Sequence, residues 1–585
     1  MLTTPLYTQM VDDTDGADAL GTGALIEAFY RSVFPGINNV VEFVRIYAAL
    51  CWMIRRIEVT GKATPGTDMV ALSKAGLEKM QLLLTWYNVA QGVKGLAGKN
   101  RLFPTDNSRV TLSFEAIPSK KVAALLAANP DAEISDPGAH YLTPVQYGPS
   151  LEGGLAFIKG NPNPAARGTY VLTDVGTKLA QAYDDAISGS KWYDWLSNLN
   201  QVTTCREEVA EMGDLLDMRL PSQQERQVFA RAYYPESIED VTGAKVPYRC
   251  NGITLVLRAL LAEQNSLREP GQHGLDVDTI RYTMARGMTL QGVPVNLEGL
   301  DEVHGWWMTV HLKELSRLAL DSLSRNVASW IHDAVVDERP RRDIVACAEG
   351  LGERLERALP EAYRARVGSY VAHLEGLRGK SETFYEAGLR LPALRIEEVL
   401  GRLLKVSNFK QRTPQESEAL VAAYEALVYC ALEARQLLSN PYVQQTVPPV
   451  DRLSFKALRD ILERFEDARP AAFLAHIVQF YVVLLHFTVA RDRTIQSGDG
   501  RNRFIFTIGE KGLERVTTKG ALHGVDLGLA RNRLRQALVL LAQCGFVETS
   551  DEGETFELTR AGRQRLERGI PDFSDAEAAA GAEAA

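Results

Sequence analysis

The chain has 585 residues, of which 45% are hydrophobic and 24% charged, and its formal net charge is -9. This composition is that of an average globular protein and excludes wholesale disorder. The length predicts three or more domains, because single hydrophobic cores stop growing well below this size. The acidic balance excludes a protein whose whole surface binds phosphate, so any nucleic-acid contact must be a local patch.

The spacing of the cysteines and the charge of the N-terminal residues predict the cellular compartment. The six cysteines are scattered and contain no CxxC pair. They therefore predict reduced thiols and a cytoplasmic location rather than a zinc module or a disulfide framework. Residues 1–20 carry three acidic residues before position 16 and no basic residue. We expect them to form a disordered arm without a secretory signal.

Residues 21–58 predict two apolar helices separated by a turn. The segment contains an aromatic stretch, a Pro-Gly-Ile-Asn turn, an Arg-x-Tyr pair and a tryptophan. These residues are Phe34, Pro35, Gly36, Ile37, Asn38, Arg45, Tyr47 and Trp52. The pattern resembles a bacterial phage-defence-associated protein family with winged-helix elements, although that family often has two adjacent aromatic residues where this chain has Ile46 and Tyr47. The resemblance covers about 30 residues and implies a large, mostly helical, cytoplasmic member of a multi-protein defence system. It implies no catalytic residue.

Residues 92–166 are rich in Gly, Pro and Asn and predict long loops with short elements between them. The next segment contains Leu172-Thr173-x-x-Gly176, which parallels Leu558-Thr559-x-x-Gly562 near the C-terminus. In both places we expect a strand that leads into a helix capped by threonine. The parallel suggests a second winged helix near residues 90–190, and ordinary helix capping is the alternative explanation.

Helical patterns dominate from residue 201 to residue 490, and the stretch from about 305 to 440 predicts a helical scaffold. Residues 471–490 contain no Lys, Arg, Asp or Glu and are long enough to span a bilayer. We interpret them as a fully buried helix. A membrane span is the alternative, but the basic residues on both sides give little orientation bias.

The C-terminal segment has the order helix, strand, charged turn, strand and helix over residues 526–569, which predicts the second half of a winged helix. In the first of these helices Leu527, Leu534, Leu538 and Leu541 share one face. The polar residues of that helix project away from this face, as in a recognition helix. Residues 491–569 contain 14 basic and 11 acidic residues, so this region is locally basic.

This pattern predicts a DNA interface. We expect Arg531, Arg533 and Arg535 to contact phosphates, with Arg501 and Arg503 as auxiliary contacts. Asn532 and Gln536 would reach base edges if the helix enters a major groove. The alternatives are an ordinary solvated face or a winged helix that docks a protein, because the acidic turn SDEGE is a poor neighbour for a phosphate backbone.

Motifs for catalysis are missing. The chain contains no GxxxxGK[ST], GxSxG or HExxH pattern and no GxGxxG that opens a βαβ unit. We predict no catalytic residue, no metal site and no cofactor, and we identify no small-molecule substrate. Whether the chain is an enzyme stays open, with a non-catalytic role favoured.

These observations predict a mainly α, multidomain protein with a C-terminal winged helix-turn-helix. The predicted segments are a disordered arm (1–20), an N-terminal helical domain (21–200), a helical middle domain (201–300), a helical scaffold (301–490), the winged helix (491–569) and a disordered tail (570–585). The predicted function is a non-catalytic DNA-binding or scaffold subunit of a bacterial anti-phage system, with DNA and other proteins of that system as partners and no membrane. The alternatives are a kleisin-like bridging subunit of an SMC-type ATPase complex, or a nuclease with a site in residues 92–166.

Overall fold

A computed structural model gives the fold and confirms a mainly α protein, with 64% helix and 7% strand. It describes residues 18–38, 40–64, 66–129, 141–142, 146–237, 240, 246–266, 274–380, 401–403, 416–446, 452–497, 503–516, 533–550, 553–571 and 573. Most of the predicted arm and tail therefore lies outside the described residues.

Helices and short strands alternate in the first half of the chain. The elements up to residue 187 are α1 (Gly23–Val33), α2 (Val44–Ala63), α3 (Met69–Ala90), β1 (Val110–Thr111), α4 (Lys120–Ala128), a π-helix (Ser150–Gly154), β2 (Ile158–Gly160), a 3₁₀ helix (Pro164–Ala166), β3 (Tyr170–Leu172) and α5 (Asp174–Ile187). They are followed by α6 (Tyr193–Ser197), β4 (Thr203–Thr204), α7 (Arg206–Ala210), α8 (Gly213–Leu216), α9 (Gln223–Tyr233), α10 (Val246–Ser266), β5 (Leu275–Asp276) and α11 (Val277–Arg286).

The second half is dominated by longer helices. Its elements up to residue 497 are α12 (Asp301–Val336), α13 (Ile344–Ala358), α14 (Glu361–Arg364), α15 (Val367–Lys380), α16 (Glu416–Leu437), α17 (Pro441–Thr446), α18 (Phe455–Phe465), α19 (Pro470–Ile477), a second π-helix (Val478–Val483) and α20 (Leu484–Ser497). The last elements are β6 (Phe506–Gly509), β7 (Gly512–Arg515), α21 (Leu534–Gln543), β8 (Val547–Thr549), β9 (Thr555–Leu558) and α22 (Arg560–Glu567).

The chain forms two compact units. The first contains Met1–Tyr30 and Asp278–Asn532, and the second contains Arg31–Val277 and Arg533–Ala585. Each unit thus combines segments that are distant in sequence, which differs from the consecutive domains that we predicted. The predicted segment 491–569 is divided between the units after Asn532. The physical reason is that α22 and β9 pack against α10 of the second unit, and a periodicity pattern carries no information about such a distant partner.

Two hairpin–helix motifs in the second unit share one arrangement. The N-terminal motif is β2–β3–α5 and the C-terminal motif is β8–β9–α22, and both hairpins are antiparallel. Thr173 and Thr559 occupy equivalent positions before α5 and α22. Each threonine hydroxyl accepts from the backbone N–H of the glycine three residues later, at 3.1 Å and 3.0 Å. The threonine parallel in the sequence therefore corresponds to a repeated structure.

The backbone repeats the same contacts at both motifs. The hydroxyl of Thr173 lies 2.7 Å from the carbonyl oxygen of Ala156, and that of Thr559 lies 2.8 Å from the carbonyl oxygen of Gly545. A Cβ at Gly176 would collide with the carbonyl of Phe157. In the same way, a Cβ at Gly562 would collide with the carbonyl of Phe546. Glycine is required at both places because the new helix passes directly over the preceding backbone.

The residues that carry the family resemblance hold the second unit together. The guanidinium of Arg45 is buried and donates to three backbone carbonyls between residues 214 and 220. The Tyr47 hydroxyl lies 2.7 Å from Ser150 Oγ, and the Trp52 indole donates to Asp184 at 2.6 Å. Buried polar groups need such partners, so in this structure the pattern has a structural role.

The first unit is built around the 36-residue helix α12, which crosses its hydrophobic core. This helix also buries charge. Arg317 donates to Glu314 at 2.7 Å and to Asp321 at 3.0 Å, and all three side chains are at most 10% exposed. Burial raises the pKa of the Asp321 carboxyl to about 7, although the nearby Arg317 lowers it.

The apolar segment 471–490 is only partly buried, so our prediction of a fully buried helix is wrong. Phe473 and Ile477 belong to the core of the first unit, whereas Phe480 and Leu484 are 46% and 38% exposed. Among the described residues, Pro470–Gln496 is the one helix that is long and apolar enough to cross a membrane, and 44% of its most apolar window is buried. A buried face of this kind is also typical of a core helix in a soluble protein.

Candidate nucleic-acid interface

The N-terminal end of α21 carries three of the predicted DNA-contacting residues that the structure describes, Arg533, Arg535 and Gln536. Arg533 stands at its N-cap and donates to the backbone carbonyl of Ile37. Arg535 donates to Glu42 Oε1 at 2.6 Å, and its side chain remains 43% exposed. The first turn contains no acidic residue. Because the helix N-terminus carries a partial positive charge, this end of α21 is electropositive except at Glu42.

The prediction that Gln536 projects outward is wrong. Its side chain is buried, with 8% exposure, and its amide lies 3.3 Å from Glu42 Oε1. Leu534, Leu538 and Leu541 are buried as predicted. However, no residue from Leu534 to Gln543 is fully exposed, since the opposite side of the helix also packs within the second unit. In this arrangement α21 has no open face to lay into a major groove.

Of the other predicted residues, Arg503 is the one that the structure describes. Arg501, Arg531 and Asn532, like the apolar Leu527, lie outside the described residues. Arg503 is half-buried, stands just before β6, and belongs to the first compact unit. The described part of the predicted interface on α21 therefore consists of Arg533, Arg535 and the buried Gln536.

The two hairpins differ in charge. The C-terminal hairpin carries Glu548 and Glu554 on exposed positions and Glu557 on a half-buried one. The N-terminal hairpin carries the exposed Lys159 and Arg167 and has no acidic residue between positions 158 and 173. A phosphate backbone would be repelled by the first of these surfaces and attracted by the second.

Glu42 is the residue at this site that sequence reasoning missed. Its carboxylate faces Arg535 and Gln536, and its backbone is held by two further bonds, from Gln543 to its carbonyl and from its own N–H to Tyr147 Oη. The available signal was that Glu42 is the one acidic residue between positions 28 and 57. A lone carboxylate in an apolar segment needs a partner, but nothing in the local pattern shows that this partner lies almost 500 positions away.

The described residues contain no group of three or more His, Cys, Asp or Glu side chains placed to hold a metal ion. A groove of about 440 Å³ in the first compact unit is lined by Ile331, His332, Val335, Arg342, Glu514 and Arg515. Of these, His332 and Glu514 are the side chains of types that act as acids, bases or nucleophiles in enzymes.

Comparison with known proteins adds no further assignment. No protein family, curated protein or solved structure matches this chain.

Proposed function

We propose that this chain is a non-catalytic DNA-binding subunit of a cytoplasmic multi-protein system in bacteria, of the phage-defence kind that its N-terminal pattern resembles. It contacts the phosphate backbone of duplex DNA with the second compact unit. The observation that carries this proposal is the partly exposed side chain of Arg535, which lies beside Arg533 at the N-terminus of α21. Arginine side chains and helix N-termini are common phosphate donors in protein–DNA complexes.

The contact is electrostatic and does not depend on base sequence. Gln536 is buried and bonded to Glu42, so it does not reach a base edge. The side chain of Arg535 is partly exposed, so it can give up its ion pair with Glu42 and bind a phosphate oxygen instead. Phosphate contacts position a protein on DNA but carry no direct sequence information. We therefore expect similar affinities for duplexes of unrelated sequence.

The test is the double substitution R531A/R535A, measured by fluorescence polarisation with a labelled duplex. Loss of two phosphate contacts should weaken binding and reduce the slope of log affinity against log salt by about two. The matched control is R231A/R560A, which removes two exposed arginines of the same compact unit that have no ion pair with a described residue. The proposal is wrong if the wild-type chain does not bind duplex DNA at low salt.

A kleisin-like bridging subunit is the second candidate function. It is favoured by the acidic C-terminal hairpin and by the packed α21, since Glu548 and Glu554 would suit a basic protein surface better than DNA. Co-purification of an ATPase subunit that persists after nuclease treatment and is lost in E548K/E554K would support bridging. Metal-dependent cleavage of DNA by the purified chain would instead identify a nuclease and contradict a non-catalytic role.

A further inference from the structure

Four lysines of the second compact unit form a basic surface that the C-terminal pattern does not include. Lys94 and Lys99 lie on the loop after α3, and Lys120 and Lys121 form the first turn of α4. All four are exposed, and none forms an ion pair with a described residue. We call these four residues the lysine surface.

The backbone brings Lys99 close to the start of α4. The N–H of Lys120 donates to the carbonyl of Asn100 at 2.9 Å, and the N–H of Leu102 donates to the carbonyl of Pro118 at 2.9 Å. Arg101 and Ser119 form an antiparallel bridge between these bonds. The loop that carries Lys99 therefore runs beside the start of α4, and Lys99 and Lys120 are neighbours although about 20 positions separate them in the chain. Lys94 lies on the same loop, five positions before Lys99.

The charge around this surface is positive and largely uncompensated. Residues 92–128 contain six basic and two acidic residues in a chain with a net charge of -9. The other two basic residues are occupied, because Arg101 is buried over the Phe114 ring and Arg109 pairs with Glu208 at 2.7 Å. The first turn of α4 has no acidic residue. Lysines at a helix N-terminus repel its partial positive charge, so this arrangement lowers stability slightly and concentrates positive potential.

The lysine surface continues into the site at α21. A Cβ placed on Gly95, next to Lys94, would lie 3.7 Å from Glu42 Oε2, and the other oxygen of Glu42 accepts from Arg535. Loop 92–101 and the first turn of α21 thus approach the same carboxylate. Apart from Glu42, the charged residues of the lysine surface and of the N-terminal end of α21 are all basic.

From this geometry we infer that the lysine surface binds the phosphate backbone of duplex DNA, as an extension of the Arg535 contact. This inference rests on the proposed function and names the surface that supplies most of its affinity. Four lysines give up to four phosphate contacts, whereas the described part of α21 offers one exposed arginine. Each contact releases condensed counterions, which makes the binding strongly dependent on salt.

The experiment compares K94Q/K99Q/K120Q/K121Q with the wild-type full chain, using a labelled duplex of arbitrary sequence. At about 50 mM salt we expect affinity to fall on the order of 100-fold, and the slope of log affinity against log salt to decrease by about three to four. The charge-matched pairs K120Q/K121Q and K62Q/K178Q distinguish the lysine surface from an effect of total charge, because Lys62 and Lys178 are also exposed lysines of this unit that form no ion pair with a described residue. The first pair should weaken binding and the second should not.

The outcomes distinguish the two proposals. DNA binding that is unchanged in the quadruple variant but reduced in R531A/R535A would overturn the lysine surface and leave the proposed function standing. Equal losses in K120Q/K121Q and K62Q/K178Q would overturn the lysine surface as well, since the effect would then follow total charge. If the wild-type chain binds phosphatidylserine vesicles and no DNA, both proposals fail. Because the four side chains are exposed and the lysines at the N-terminus of α4 lower stability slightly, the quadruple variant should unfold at the wild-type temperature or slightly above it.

Discussion

Glu42 determines what Arg535 can do. The ion pair between them is partly exposed, with side-chain exposures of 43% and 21%, and such pairs contribute roughly 0.2 to 1 kcal/mol. A phosphate oxygen can therefore replace the carboxylate at small cost. The same carboxylate also repels DNA from the surface between Arg535 and Gly95, so it weakens the interaction that its neighbours favour.

The substitution E42Q tests this competition. It removes one negative charge and leaves the backbone bonds of residue 42 in place, so the fold should be unchanged. We expect duplex DNA to bind up to about fivefold more tightly, which corresponds to removing a repulsion of about 1 kcal/mol. Polarisation titrations at low salt measure this. Weaker or unchanged binding would show that Arg535 does not contact DNA.

Asp321 gives the first compact unit a pH dependence. Burial raises the pKa of its carboxyl from 3.8 to about 7. Because the folded-state pKa lies above the unfolded value, the folded chain holds this proton more tightly. The resulting stability is fully present below the unfolded value of 3.8 and is lost as the pH rises through about 7. Each pKa unit corresponds to about 1.4 kcal/mol.

The variant D321N removes this titration. Thermal unfolding of the wild type should therefore shift to lower temperature between pH 5 and pH 8 by more than that of D321N. The side-chain amide introduced by this substitution still offers a carbonyl oxygen to Arg317, so the variant should fold. Parallel pH profiles for the two proteins would contradict a protonated Asp321 in the folded state.

At the scale of elements, the threonine motifs show what a short pattern can predict. Leu-Thr-x-x-Gly encodes the end of a strand, an N-cap hydroxyl and a glycine at a close approach, and all three are local requirements. For that reason the two hairpin–helix motifs could be expected from the sequence. The environment of α21 could not, because the residues that cover its polar side come from the segment around Glu42.

The equivalent threonines make a matched stability test. T173V and T559V each remove an N-cap acceptor and a donor to a partly buried carbonyl, and we expect each to cost about 1 to 2 kcal/mol. T177V is the control, since the Thr177 hydroxyl is exposed and bonds only to the carbonyl one turn earlier. The control should change stability by less than about 0.5 kcal/mol. Thermal unfolding is the measurement, and a control as damaging as T173V would contradict the proposed role of the hydroxyls.

At the scale of the whole molecule, the sequence predicted the helical class and most long helices but not the grouping of segments. Periodicity identifies which face of a helix is apolar. It does not show that residues 533–569 belong to the same compact unit as residues 31–277. The same limit explains the error at Gln536, whose burial depends on a segment almost 500 positions away, and the partial exposure of the helix at Phe480.

In the proposed function, the second compact unit binds duplex DNA through phosphate contacts. The affinity of the purified chain for two unrelated duplexes between about 50 and 200 mM salt measures this interaction. We expect equal affinities for the two sequences, a linear fall of log affinity with log salt, and a smaller slope in R531A/R535A. Absence of binding at low salt, or a slope that the two arginines do not affect, would show that these phosphate contacts do not form.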